Sequence, residues 1–479
     1  MKRSRIFQVV AAVWMGALFL LPAVILCAIG FSASRFGDTY YGALAPMWKK
    51  LKTMEGPKIV IVGNSAVAFG VDSALLQEEL EADGFEYAVC NFGLYGAIGT
   101  RAMLDLSEEY IKKDDIVLFM PEINAQSLSL YFSAKDFWYA ADSDFSLLFS
   151  LDGVAGTMAG TFASFVAEKY TYIRKGGYAD SGNLYTRGAF DENCDMKNVE
   201  RAYNKMDGRY DFNNPISFES SLIGAEFSDY VNNYYETLKE KGAEMYFVFC
   251  PVNEADVSDF EAIDPFCDFL RSEFKFSLLG SPYSSLYEAE WFYDSNVHLN
   301  ESGMIVHTLT LLNNLKNLFG STTPNNTPFP EKPEIPPPEN VGGADNSDAV
   351  YFEYEKEGSG YKIVALNAEG KGKKHLTIPG VYNERPVLSL AAETFSGNKT
   401  IESVTIQENI TSLPDNLFSD CTSLRTIKLM QADPEKLGVG YGLLNGTRRD
   451  CYIYVPDTSL GIYHNNYFWG HYVGRYKTY

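Results

Sequence analysis

Two short stretches hold the residues whose types and spacing could do covalent chemistry. In "KIVIVGNSAVAFGVDS", residues 58–73, an apolar run stops at Gly63-Asn64-Ser65 and a helical pattern follows. In "FYDSNVHLNESG", residues 292–303, Asp294 and His298 precede another helical pattern. A serine hydroxyl is a weak nucleophile until a base within hydrogen-bond reach takes its proton, and that base is in turn oriented by a carboxylate. Between the N-terminal apolar segment and a Pro-rich stretch the chain offers two histidines, His298 and His307. His307 falls inside the helical pattern "GMIVHTLTLLNNL", which suits a packed side chain, whereas His298 is flanked by Asn300 and Gly303 as a loop-borne base would be. The expected chemistry is nucleophilic attack by Ser65, with His298 as base and Asp294 holding the ring. Taken alone, Gly63-Asn64-Ser65 also reads as a helix N-cap after a tight turn. It is neither a phosphate loop nor a dinucleotide turn, because the lysine of the one and the glycine spacing of the other are missing.

These residues need a scaffold. Lys58–Val62, Tyr87–Asn91, Ile116–Met120 and Met245–Cys250 read as strands buried on both faces, alternating with helical patterns at Ala74–Glu81, Arg101–Lys112, Phe227–Lys241 and Phe260–Phe274. That alternation predicts an α/β domain with a parallel sheet between helices. Functional groups in such domains gather beyond the carboxyl ends of the strands, where Ser65 falls.

A formal charge of −22 opposes binding of a polyanion, so nucleic acid is not expected as a partner. Seven scattered cysteines without C-x-x-C spacing indicate neither a zinc module nor a disulfide framework, and no cofactor or metal is expected. Lys2, Arg3 and Arg5 precede an uncharged stretch from Ile6 to about Phe31, longer than the ~20 residues a membrane-spanning helix needs. With the positive cluster held inside, the chain is expected to be a single-pass membrane protein whose bulk is extracytoplasmic. A cleaved signal peptide is the competing reading; the apolar run exceeds the usual ~7–15 residues of its core.

The arrangement resembles the SGNH, or GDSL-type, hydrolase superfamily. Gly63-Asn64-Ser65 matches its first block with Asn64 in place of Asp, Gly96 in "NFGLYG" matches the second, and "DSNVHLNESG" matches the last, with the Asp one residue further from the His. That shift resembles a membrane-anchored branch acting on wall polymers, including D-alanyl-transfer proteins of lipoteichoic acid and relatives of alginate O-acetylation proteins. The resemblance implies a flavodoxin-like three-layer domain over 36–319, following a stub and anchor at 1–35. It also implies an oxyanion hole from the backbone N–H groups of Ser65 and Gly96 and the side chain of Asn124. The third block departs most: in "MPEINAQ", Glu122 replaces the glycine and Ala125 the acid.

An aromatic-rich insertion at about 125–222 is expected either to cap the site or to pack into its own core. Asn64, and Asn253 and Glu254 in "FCPVNEAD", are candidate substrate contacts. Residues 320–347 read as an extended Pro-rich spacer. In 348–479, "SLAAETFSGNKTIESVTI" and "SLPDNLFSDCTSLRTIKL" align at a constant offset, pairing Phe395 with Phe418, Ile401 with Leu424 and Val404 with Ile427. This predicts a small β-rich solenoid that resembles the BspA-type leucine-rich repeats of bacterial surface proteins, with Cys421 as an interior position.

Two functions from different classes follow. One is an anchored O-acyltransferase or esterase acting on a cell-surface polysaccharide or teichoic-acid-like polymer, on a Gram-positive-type bacterial surface. As a transferase, it would depend on a multi-spanning membrane acyltransferase for its acyl donor, as the resemblance implies. The other is a surface adhesion protein in which the hydrolase-like domain is inactive and the repeats bind.

Overall fold

The computed structural model describes residues 2–479 except 95, 180–184, 207–209, 212–215, 258, 335–345, 359 and 384; for 2–12 and 473 it describes the backbone alone. The chain divides into two compact units, Met1–Ala202 with Ile216–Lys332, and Tyr203–Pro215 with Pro333–Tyr479. Part of the segment expected to cap the first domain therefore groups with the second unit.

The first unit opens with α1 (Lys2–Gly30), whose Val13–Gly30 segment has a mean hydropathy of 2.3 and is long and apolar enough to cross a membrane, a property membrane anchors share with signal sequences. After α2 (Leu44–Thr53), strand β1 (Lys58–Gly63) runs into α3 (Ser65–Gly70) and α4 (Ser73–Ala82). Strand β2 (Ala88–Gly93) leads to α5 (Thr100–Glu108) and β3 (Ile116–Met120). The insertion contributes α6 (Ala134–Ala141) and α7 (Ala155–Lys175) before α8 (Ala225–Lys241) and β4 (Glu244–Val248). Then come β5 (Val252–Asn253), α9 (Ile263–Glu273), β6 (Ser277–Leu279) and β7 (Leu286–Tyr287). The hairpin β8 (Phe292–Ser295) and β9 (His298–Leu299) precedes α10 (Glu301–Phe319).

The main sheet runs in the order β2-β1-β3-β4-β6, every pair parallel. The predicted alternation is thus a parallel sheet whose order reverses direction between β1 and β3, the place where such sheets open a crevice. Strands β1 and β3 are buried throughout, which is why they read as unbroken apolar runs. At the amino end of β1, Lys58 forms a buried ion pair with Asp115 through the carboxylate oxygen that also accepts from the Lys112 N–H, while the other oxygen accepts from the Lys58 N–H at 3.0 Å.

The insertion aromatics pack into the core, among themselves, as Trp138 on Phe165 at 5.1 Å, and against the segment that follows α1, as Tyr139 on Phe36 at 4.4 Å. The start of the Pro-rich segment is not a free spacer. Backbone amides of Asn326 and Thr327 donate to Glu79 at 2.9 and 2.6 Å, and Ser321 donates to Asp83 at 2.5 Å, so 321–327 fold back along α4, and further on Lys332 pairs with Glu288 at 2.5 Å. Residues 335–345 of that segment lie outside the described residues.

In the second unit, β10 (Phe352–Glu357) and β11 (Gly360–Leu366) form an antiparallel hairpin at one end. Beyond it, β12 (His375–Ile378), β13 (Val381–Tyr382), β14 (Arg385–Leu390), β15 (Ser403–Ile406), β16 (Ser412–Leu413), β17 (Thr426–Leu429), β18 (Gly438–Val439), β19 (Tyr452–Val455) and β20 (Tyr476–Thr478) stack into two sheets. The sequence offset is the ladder register: Val404 pairs with Ile427 in parallel, and the Phe395 and Phe418 rings lie 5.2 Å apart. The same sheet continues through β12, β19 and β20, rungs whose divergent sequences hide the repeat. Cys421 is buried, its thiol pushed up to about 11 by burial.

Candidate active site

The parallel register pairs Gly63 with both Gly93 and Met120. Residues just beyond these strand ends are therefore forced together, and Ser65 and Glu122 each stand two residues past the paired Gly63 and Met120. Gly63 is needed for the approach: a Cβ there would lie 2.2 Å from the Met120 carbonyl oxygen and 2.5 Å from Val67.

Asp294 and His298 come from the β8–β9 hairpin, where Ser295 pairs with His298 across a two-residue turn. Asn296 in that turn is tied down, since its amide donates to Asp256 at 2.9 Å and its carbonyl accepts from the Asn253 N–H at 2.9 Å. Asn300 caps α10 by accepting from Gly303 N–H at 2.8 Å, and it donates back to the carbonyls of Glu290 and Phe292 at 2.7 and 3.2 Å. A Cβ on Gly303 would fall 2.2 Å from the Trp291 carbonyl oxygen. The Asn and Gly that flank His298 are thus structural pins for the loop that carries it.

The three predicted residues converge. His298 Nε2 is 2.8 Å from Ser65 Oγ, and His298 Nδ1 is 2.9 Å from Asp294 Oδ1. The ring is clamped face to face by Phe69, with centroids 3.9 Å apart and planes 6° from parallel. Tyr185, from the insertion, meets it edge-on at 6.3 Å. Behind Phe69 lies the buried Arg201, which donates to the carbonyls of Leu299, Met196 and Phe69 at 2.6, 2.6 and 3.3 Å. Burial lowers its guanidinium to about 10. Arg201 thereby ties the insertion to Phe69 and to Leu299, the residue after His298. His307 is elsewhere: fully buried, with Nδ1 3.0 Å from the Tyr287 hydroxyl, and pushed down to about 4 by burial.

The residue that sequence reasoning left without a role is Glu122. Its Oε1 lies 2.8 Å from Ser65 Oγ and accepts from the Ala66 N–H at 3.1 Å. Asn124 donates to its Oε2 at 3.2 Å. Asn124 is therefore corrected from a direct oxyanion donor to a partner of Glu122; its carbonyl oxygen caps a turn by accepting from the Gln126 and Ser127 amides. Gly96 does lie at this corner, its missing Cβ 3.5 Å from Asn64 Nδ2 and 3.8 Å from Glu122 Oε2, and its carbonyl accepts from Gln126 at 2.8 Å.

The remaining candidates do not line an open site. Asn64 is buried and its Oδ1 accepts from Thr100 at 3.4 Å. Asn253 is fully buried and caps the turn after β5 through the Ala255 N–H, so its burial removes it from substrate contact. Glu254 is exposed, and among the described residues no hydrogen bond ties it to the triad. Cys250, also near Glu122, is pushed up to about 12 by burial and is no competing nucleophile.

Proton counting defines what this arrangement does. Ser65 Oγ carries one proton, so its hydroxyl donates either to His298 Nε2 or to Glu122 Oε1, and the two acceptors compete for it. A scan against protein-family models matches none, and a search of curated proteins finds no significant match.

Proposed function

We propose that the chain is a membrane-anchored serine enzyme of the SGNH type that moves acyl groups to or from a cell-surface polysaccharide or wall polymer. The observation that carries this reading is the unbroken Asp294–His298–Ser65 hydrogen-bond chain at the carboxyl edge of the sheet. Ser65 Oγ attacks the acyl carbonyl carbon while its proton passes to His298 Nε2, and Asp294 stabilises the imidazolium that forms. The imidazolium returns the proton to the leaving oxygen. In the second half, a glycan hydroxyl or water attacks the acyl-serine, gives its proton to Nε2, and Ser65 recovers a proton as it leaves. Glu122 competes with His298 for the Ser65 hydroxyl proton, so attack proceeds from the arrangement in which that proton points to Nε2.

With one helix among the described residues long and apolar enough to cross a bilayer, this chain does not itself carry an activated donor across, so as a transferase it would be supplied by a multi-spanning acyltransferase. The reading is tested by incubating the intact protein with a fluorophosphonate and measuring its mass. Wild type gains one adduct and Ser65→Ala gains none; absence from both sinks the enzymatic reading.

One observation favours a second reading. A carboxylate beside the nucleophile, where the superfamily resemblance implies a donor, suits a domain that has left catalysis, with the leucine-rich-repeat-like coils binding surface polymer or protein. That reading predicts no adduct, and it predicts loss of surface binding when the repeat unit is altered.

A further inference from the structure

Helix α1 does not enter the domain through a free linker. Its last residue, Gly30, is buried: a Cβ there would lie 2.5 Å from the Phe162 ring and 3.0 Å from Val166. Phe31 stacks on Phe162 at 5.5 Å and meets Phe145 and Trp138 edge-on at 4.9 and 6.5 Å. The buried Lys169 of α7 donates to the carbonyls of Gly30 and Ser32 at 2.9 Å each, and to Asp142 at 2.5 Å. The other Asp142 oxygen accepts from Arg35 N–H, Phe36 N–H and the Ser34 hydroxyl at 2.6, 3.1 and 3.0 Å. Residues 30–36 are thus clamped to α6 and α7.

This clamp has a geometric consequence. If α1 spans a bilayer, whatever packs on Gly30 and Phe31 sits where the helix leaves the hydrocarbon, because the apolar run ends at Phe31. The elements there are the 3-10 turn Phe145–Phe149 and the first half of α7. From Phe145 to Ala167 the chain carries one charge, Asp152. Phe149 is 89% exposed, the highest among the large apolar side chains of the described residues, and Gly156, Ala159, Gly160 and Ala163 on α7 are exposed as well. A helix face meant for water normally carries charged side chains. This one is neutral and small, and it continues from the packing around the apolar helix.

We propose that Phe149 and the N-terminal half of α7 form a second membrane contact, lying in the headgroup region of the leaflet from which α1 emerges. The occupant is the lipid of that leaflet. An aromatic ring at the interface and a neutral helix face are the groups such a contact uses. One spanning helix holds the domain near the membrane but leaves it free to swivel; this platform fixes its orientation and the height of Ser65 above the lipid. The inference rests on α1 being a retained anchor and is independent of whether Ser65 is active.

Nitroxide labelling of the full chain in lipid nanodiscs tests it. Cys27 on α1 is the only exposed one of the seven cysteines, so labelled wild type supplies a lipid reference. Phe149→Cys and Ala159→Cys, each with Cys27→Ser, report on the platform, and Lys113→Cys in the same background reports a charged, exposed turn. Relaxation by oxygen relative to a polar nickel chelate is expected to be several-fold higher at 149 and 159 than at 113. Chelate access at 149 or 159 equal to that at 113, with Cys27 shielded, overturns the platform. Chelate access at Cys27 as well means that α1 is not in the bilayer, and the anchor reading falls together with the platform.

Discussion

Phe69 lies flat against His298, ring centroids 3.9 Å apart, one helical turn after the nucleophile on the same short helix. Helix α3 therefore carries both Ser65 and the ring that packs on His298. A shift of α3 moves the two together and preserves their alignment.

Phe69→Leu keeps an apolar side chain but removes the flat face. Fluorophosphonate labelling of Ser65 is expected to slow by roughly tenfold, since small misplacements of catalytic groups are costly, while stability drops by less than about 1.5 kcal/mol. Labelling kinetics beside a denaturation curve separate the two effects. An unchanged labelling rate would show that the hairpin alone positions His298.

Glu122→Gln replaces the carboxyl by a neutral group that can donate at every pH. If the carboxylate competes with His298 for the Ser65 proton, labelling of Ser65 at neutral pH rises, by up to about the 10²-fold that one oxyanion donor is worth. Glu122→Ala, which removes the donor, is expected to label more slowly than Glu122→Gln. A fall in the Gln variant would mean that the ionised carboxylate serves the reaction, for example by orienting the hydroxyl.

Burial of His307 separates its folded value, about 4, from the unfolded value near 6.5. Between these values the unfolded chain binds the extra proton, so the stability gained from the neutral ring is full above about 6.5 and is lost as pH falls toward 4. Asp195, raised to about 6 by burial, acts in the opposite sense, its contribution fading as pH rises through 6. Comparing wild type with His307→Gln cancels the Asp195 effect. The variant is expected to lose less stability between pH 6.5 and 4, by up to about 3 kcal/mol. Parallel curves would exclude a buried neutral His307.

Lys169→Met leaves the buried Asp142 without its cation and is expected to cost about 3–5 kcal/mol. Lys169→Met with Asp142→Asn should recover part of that loss. Melting curves in nanodiscs measure both; a silent Lys169→Met would show that the clamp on residues 30–36 is not under load.

A chain ending at Lys332 should be more stable than one ending at Leu318. The longer one keeps the two backbone N–H groups from which Glu79 accepts, and hydrogen bonds to a charged group contribute about 1.5–3 kcal/mol. Equal midpoints would return 321–332 to the status of a spacer.

The sequence by itself pointed to the meeting of Ser65, His298 and Asp294, the alternation of strands and helices, the apolar N-terminal helix and the repeat register. Each is local or periodic. A serine at a strand end needs a base, the domain offers one loop histidine, and a constant offset between two apolar patterns becomes the pairing of Val404 with Ile427. Tertiary structure alone decided the rest. Glu122 meets Ser65 because β3 lies next to β1 with Met120 opposite Gly63, a strand order that residues separated by 57 positions do not announce. The Lys169 clamp, the Arg201 brace behind Phe69 and the return of 321–327 onto α4 likewise join polar groups far apart in the chain. A buried polar group must find a partner, but its own type does not say which one; packing makes that choice.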